Sequence, residues 1–149
     1  MARERGARST LLARAEDVEA QYYDALQNAD LERLMAAWAD DEEIVCVHPG
    51  GQRVIGPMAV RASYEAILAA GGVAAVPEQV RRLQGTGVAV HHLVERVRVA
   101  TQEGPRQAFV MVTNVFMHTA QGWRMVAHHA SPAAAEPPPM AQEWPSTVH

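Results

Sequence analysis

The chain has little cysteine, no excess of basic charge and no long apolar run, and each shortage removes a class of protein. Its one cysteine, Cys46, cannot form an intramolecular disulfide, so the sequence reads as belonging to a reducing compartment. Within the run Ile44-Val-Cys-Val47 it reads as a small core residue rather than a nucleophile. A formal net charge of -4 gives no global attraction for nucleic acid or an anionic membrane. No stretch approaches the roughly 18 apolar residues that a membrane span needs. Arg3, Arg5 and Arg8 open the chain, but Leu11 and Leu12 soon give way to charge, which leaves no secretory apolar segment. A cytoplasmic location is expected. Glycine-rich phosphate loops, HExxH helices, CxxC pairs and G-x-S-x-G elbows are all missing, which argues against nucleotide, zinc-hydrolase and serine-hydrolase chemistry. Neither a cofactor nor a metal is expected.

What is present is enough for one core: 149 residues, 48% hydrophobic and 20% charged. Residues 1–8 read as a flexible N-terminus. Over 9–28, Leu11, Leu12, Ala15, Val18, Tyr22, Ala25 and Leu26 recur at helical spacing. Asp30 suits the N-cap of a second helix over 31–39. After the acidic run Asp40-Asp-Glu-Glu43, residues 44–48 read as a strand, Pro49-Gly-Gly51 as a turn and 53–55 as a short return strand. A third helix starts at Pro57 and stops at Gly71-Gly72. Residues 80–84, 88–100, 107–119 and 122–131 then read as strands of a meander joined by short connectors. The order is that of an α+β fold with three helices on a mixed, mostly antiparallel sheet. Residues 132–149, rich in Pro and Ala, lack a burying period and read as a tail on which Trp144 could dock back.

The pattern Tyr22, Asp30-Leu31, Trp38-Ala-Asp-Asp41, His48-Pro-Gly, Gly56, Asn114 and Gly122-Trp, together with this element order, resembles the NTF2-like superfamily over residues 9–131. That superfamily includes ketosteroid isomerases and SnoaL-like polyketide cyclases. The resemblance implies a cystatin-like cone in which a curved sheet wraps an apolar pocket. It also implies site positions: Tyr22 where the isomerases have an oxyanion-hole tyrosine, His48 where they have the base, and Asn114 where they have a protonated aspartate. An amide donates without any raised pKa, and an imidazole abstracts a proton near neutrality. Those three are the candidate catalytic residues. Trp38, Asp41, Val112, Phe116, Ala127 and His129 are the candidate ligand contacts.

Counting from Gly122 by strand alternation puts Trp123, Met125, Ala127 and His129 on the pocket face and Arg124, Val126 and His128 on the other. Of Tyr22 and Tyr23, about 100° apart on a helix, one is expected only to pack. His48 and His129 with His91 or His92 could form a three-nitrogen set, but at no recognised ligand spacing. Met111, Thr113 and Val115 fall on the outer sheet face, which in this superfamily is commonly covered by a second subunit; a homodimer is expected there. The resemblance therefore implies a pocket for a small apolar or carbonyl-containing ligand, with isomerase, cyclase or dehydratase chemistry through proton abstraction. A non-catalytic ligand-binding or dimeric association module is the alternative, and fold alone does not choose.

Overall fold

The computed structural model describes residues 13–133. Readings of the extreme N-terminus and of the Pro/Ala-rich tail, Trp144 included, lie outside the described residues. Helix α1 spans Ala15–Gln27, with Glu16 and Asp17 in its first turn, where carboxylates complement the helix dipole. It begins later than residue 9, because Arg14 is already extended at φ -138°. Its buried side chains are Ala15, Val18, Glu19, Gln21, Tyr22, Tyr23, Ala25 and Leu26. Helix α2, Leu31–Ala36, is capped as expected by Asp30, whose carboxylate accepts from the Arg33 backbone N–H at 3.1 Å. It stops three residues earlier than the sequence suggests. The chain there turns into a bridge in which Trp38 pairs with Met125, with the Ala39 N–H donating to the Met125 carbonyl at 2.9 Å.

Strands β1 (Val45–Val47) and β2 (Arg53–Ile55) form an antiparallel pair, and helix α3 (Pro57–Leu68) follows with Val60, Tyr64 and Leu68 on its buried stripe. Gly72 has no alternative: a Cβ there would lie 1.9 Å from the Gln27 carbonyl oxygen, at the crossing of this loop over the end of α1. The meander is β3 (Ala75–Gln84), β4 (Val88–Thr101), β5 (Gly104–Thr119) and β6 (Gly122–Pro132). The sheet order is β2-β1-β6-β5-β4-β3, and only the β1·β6 pair is parallel. β3 starts five residues before the expected strand. Pro77 is tolerated because β3 is an edge, where a missing N–H breaks no ladder on the open side.

The largest departure lies in β6. Val115 pairs with Ala127, yet Phe116 pairs with Met125, so Val126 is an extra residue in a β-bulge. The bulge shifts alternation by one beyond it. Met125 is buried as expected, but from there on His128 and Ala130 turn inward while His129 is exposed. The helices and the inner sheet face share one core, built around Val18, Tyr22, Leu34, Ile44, Val60, Tyr64, Leu93, Val112, Phe116 and Met125.

Candidate functional site

His48, directly after β1, is half-buried; burial lowers its pKa below the ordinary histidine value and keeps the ring neutral. Its Nε2 lies 2.9 Å from Ser63 Oγ on α3. Because the Ser63 hydroxyl gives its one proton to the Val60 carbonyl at 2.7 Å, it can only accept from His48. Nε2 therefore carries the hydrogen and Nδ1 the lone pair. The His48 ring meets Tyr64 edge-on at 4.9 Å, and the Tyr64 hydroxyl pairs with that of Tyr22 at 2.6 Å. Cys46 Sγ sits between, 3.5 Å from Tyr64 OH and 3.6 Å from His48 Nε2. Burial pushes its thiol up to about 11 and raises both tyrosines well above their usual values, so all three hold their protons and act as neutral hydrogen-bonding groups.

Deeper inside, three residues stand side by side across β4, β5 and β6, where His91 pairs with Asn114 and Asn114 with His128. All three are buried. Glu19 reaches them from α1: Asn114 Nδ2 donates to Glu19 Oε2 at 3.1 Å, and His91 Nδ1 lies 3.1 Å from Glu19 Oε1, at an angle too bent for a good hydrogen bond. His128 Nδ1 lies 2.6 Å from Asn114 Oδ1. Burial, with the His48 and His129 rings adding to it, pushes His128 down to about 3, so its imidazole is neutral. Tyr23 donates to Glu95 Oε2 at 2.8 Å; burial raises the Glu95 carboxyl to about 7 against the lowering effect of that bond. The concave wall is thus polar at its centre, where an apolar lining was expected.

The expected site residues divide accordingly. Tyr22, Trp38, Val112, Asn114 and Phe116 are buried in the body, with His48 half-buried and packed on Tyr64. Trp38 also lines a surface groove with Met35, Asp40, Pro57 and Met58. Ala127 and His129 do not belong on the inner face: the Val126 bulge turns both outward and brings His128 in. Asp41 is exposed and accepts from the Glu43 N–H in its own turn at 2.8 Å, so it orients that turn rather than His48. Both Tyr22 and Tyr23 enter the interior with bonded hydroxyls, so neither merely packs. Of the adjacent pair His91 and His92, the first is buried and the second exposed; with His129 also outside, the three-nitrogen set does not assemble. No group of three potential metal-ligating side chains occurs among the described residues.

Sequence reasoning missed Glu19, Ser63, Tyr64, Glu95 and the inward turn of His128, and left open which of His91 and His92 faces inward. Periodicity held signals for several of them. Glu19 sits on the α1 stripe with Ala15, Val18 and Tyr22, and His91 and Glu95 share the inward alternation of Ala89 and Leu93.

A family model for the SnoaL-like domain matches residues 15–135. The chain belongs to the SnoaL-like family. No curated protein matches it. Among solved structures, this SnoaL-like chain is similar to a candidate calcium/calmodulin-dependent protein kinase type II association domain from Thiobacillus denitrificans, at 31% identity over 80% of this chain and 95% of the other, with a TM-score of 0.72. It is similar to a candidate dehydratase of the NTF2-like family from Streptomyces avermitilis at 25% identity, covering 83% and 97% of the two chains, with a TM-score of 0.73. An NTF2-like protein with a cystatin-like fold from Novosphingobium aromaticivorans, 21% identical over 88% and 86% with a TM-score of 0.65, shares the fold.

Proposed function

We propose that this SnoaL-like domain takes a small carbonyl compound into the cone and transfers a proton next to the carbonyl, in an isomerase, cyclase or dehydratase reaction. The observation that carries this reading is a neutral imidazole with its lone pair on Nδ1, His48, packed against the Tyr64–Tyr22 hydroxyl pair at 2.6 Å. His48 Nδ1 takes the proton from the carbon beside the carbonyl. The electron pair moves onto the carbonyl oxygen, and a tyrosine hydroxyl that keeps its own proton stabilises the enolate by hydrogen bonding. Return of the proton from His48 to another carbon completes an isomerisation, and its transfer to a β-hydroxyl, which leaves as water, completes a dehydration. The resemblance to the Streptomyces candidate dehydratase supports this class.

The experiment is deuterium incorporation beside the carbonyl of simple cyclic ketones and enones in D2O, followed by NMR. The native protein accelerates exchange over buffer, His48→Gln reduces the acceleration at least about 100-fold, and Tyr22→Phe reduces it less. Exchange no faster than buffer, or indifferent to His48, ends the proposal.

A second reading, self-association, has its own support. On the convex face the register aligns Leu83, Val90, Val115 and Ala127 across four strands, beside Val88 and Met117, and Leu83 is 74% exposed. The 31% identical candidate association domain points the same way. With Met111, Thr113 and Val115 among the contacts, a homodimer at micromolar concentration is the expected sedimentation result. Leu83→Glu with Met117→Glu should return it to monomer; a native monomer would remove this reading.

A further inference from the structure

The row His91, Asn114 and His128 raises a question that proton transfer at His48 leaves unanswered: why bury two imidazoles, an amide and a carboxylate together? A carboxylate only accepts hydrogen bonds, so Glu19 fixes the direction of everything attached to it. Asn114 must turn its NH2 toward Glu19 Oε2 at 3.1 Å, which aims its carbonyl at His128. That carbonyl also only accepts, so the 2.6 Å contact requires the hydrogen on His128 Nδ1 and leaves the lone pair on Nε2. On the other side, His91 Nδ1 faces Glu19 Oε1 at 3.1 Å, too bent for a good hydrogen bond but so close that a lone pair there would repel the carboxylate, which favours the hydrogen on Nδ1 and the lone pair on Nε2. One carboxylate sets both rings the same way, one directly and one through an amide.

The result is two nitrogens whose lone pairs meet no donor among the described residues. Both His91 nitrogens are buried with no hydrogen-bond partner among the described residues, and His128 bonds to a described residue through Nδ1 alone. A buried acceptor without a donor costs about 1–3 kcal/mol, and native proteins seldom leave one unmatched. No arginine is among the buried polar residues, which are Glu19, Gln21, His91, Glu95, Asn114 and His128. With two carboxyl side chains and no buried cation among the described residues, this wall disfavours an anion.

We infer that His91 and His128 are ligand-binding residues that accept hydrogen bonds from hydroxyl or N–H groups of an uncharged ligand, and that Glu19 is the positioning residue that holds both in the accepting form. The inference rests on the reading that the cone receives a small carbonyl compound, but not on any reaction occurring there. It narrows the ligand class to neutral carbonyl compounds that also carry a hydroxyl or N–H donor. A simple carboxylate and a fully alkylated ketone both fall outside it.

Two measurements test it on the full chain. Long-range 1H–15N correlation of the histidine rings reports which nitrogen bears the hydrogen. His91 and His128 should both show Nδ1–H with an unprotonated Nε2, and Glu19→Gln, whose amide can also donate, should give mixed forms. A hydrogen on Nε2 of either ring in the native protein overturns the inference, whatever the ketone-exchange experiment shows. The second measurement titrates 4-hydroxycyclohexanone, 4-methoxycyclohexanone and 4-oxocyclohexanecarboxylate while following the same ring nitrogens. The hydroxy compound should shift the Nε2 signals and bind at least ten-fold more tightly than the other two, and Glu19→Gln should erase the difference. Equal binding by all three, or binding by none, would mean that water alone occupies the acceptors, and the inference fails. Correct ring forms and ligand preference without deuterium exchange would leave it standing and remove the proposed reaction instead.

Discussion

One residue apart on the same three strands lie two rows of nearly equal composition. His91, Asn114 and His128 face into the cone; His92, Thr113 and His129 face out of it. In the inner row every residue is buried and tied to Glu19 directly or through Asn114, whereas both outer histidines are exposed. The side chains alone do not separate a candidate site from a solvated surface. What separates them is desolvation together with one acceptor-only carboxylate, which turns ordinary polar groups into a directed set.

The contrast breaks most sharply at its centre. Asn114→Leu removes the amide that satisfies both Glu19 Oε2 and His128 Nδ1, and leaves a buried carboxylate and a buried N–H facing hydrocarbon. A loss on the order of 4 kcal/mol in urea unfolding is expected. Thr113→Val, one position along, should cost less than about 0.5 kcal/mol. Equal costs would mean that the two faces do not differ in the way described.

A smaller effect sharpens the same comparison through pH. His128, pushed down to about 3 from an ordinary 6.5, binds its proton more weakly folded than unfolded, so its contribution is full above pH 6.5 and is lost as pH falls toward 3. Glu95, raised to about 7 from 4.5, has the opposite sense: its contribution is full below pH 4.5 and is lost as pH rises through 7. Between about pH 4.5 and 6.5 the two slopes oppose each other. Replacing either partner should uncover the other. Glu95→Gln leaves stability rising with pH across that window, and His128→Gln leaves it falling, each by up to about 2–3 kcal/mol. Thr113→Val, on the outer face, should leave the native profile unchanged. Unfolding at pH 5 and pH 6.5 for the four proteins decides it; matching slopes in the two inner variants would refute the assignment.

Much of this architecture was legible from the chain alone. The order of elements, the Asp30 cap, the Pro57 helix start and the burial of Tyr22 follow from periodicity and local chemistry that act over a few residues, whereas the inward placement of Asn114 came from the family resemblance. His128 was not legible, because a bulge is a property of two paired strands and appears in neither one by itself. Val126 looks like any other strand residue until Val115 and Phe116 have chosen partners on either side of it. Tyr64 and Ser63 were missed for a related reason. A helix stripe says which side chains are buried, but only the approach of β1 says that they meet His48. Pro77 likewise hid the first half of β3, since its tolerance depends on the strand lying at an edge.

That edge has a bearing on solubility. A six-stranded sheet ends in two rows of unpaired backbone groups, which are templates for endless strand addition between molecules. Here one end is closed by β2, only three residues long, and the other carries Pro77, a break in register between Glu78 and Arg81, and the exposed charges of Arg81 and Arg82. Neither offers a flat, continuous ladder. Copies of this chain that meet at high concentration are therefore steered away from edge-to-edge growth, the route to fibrils.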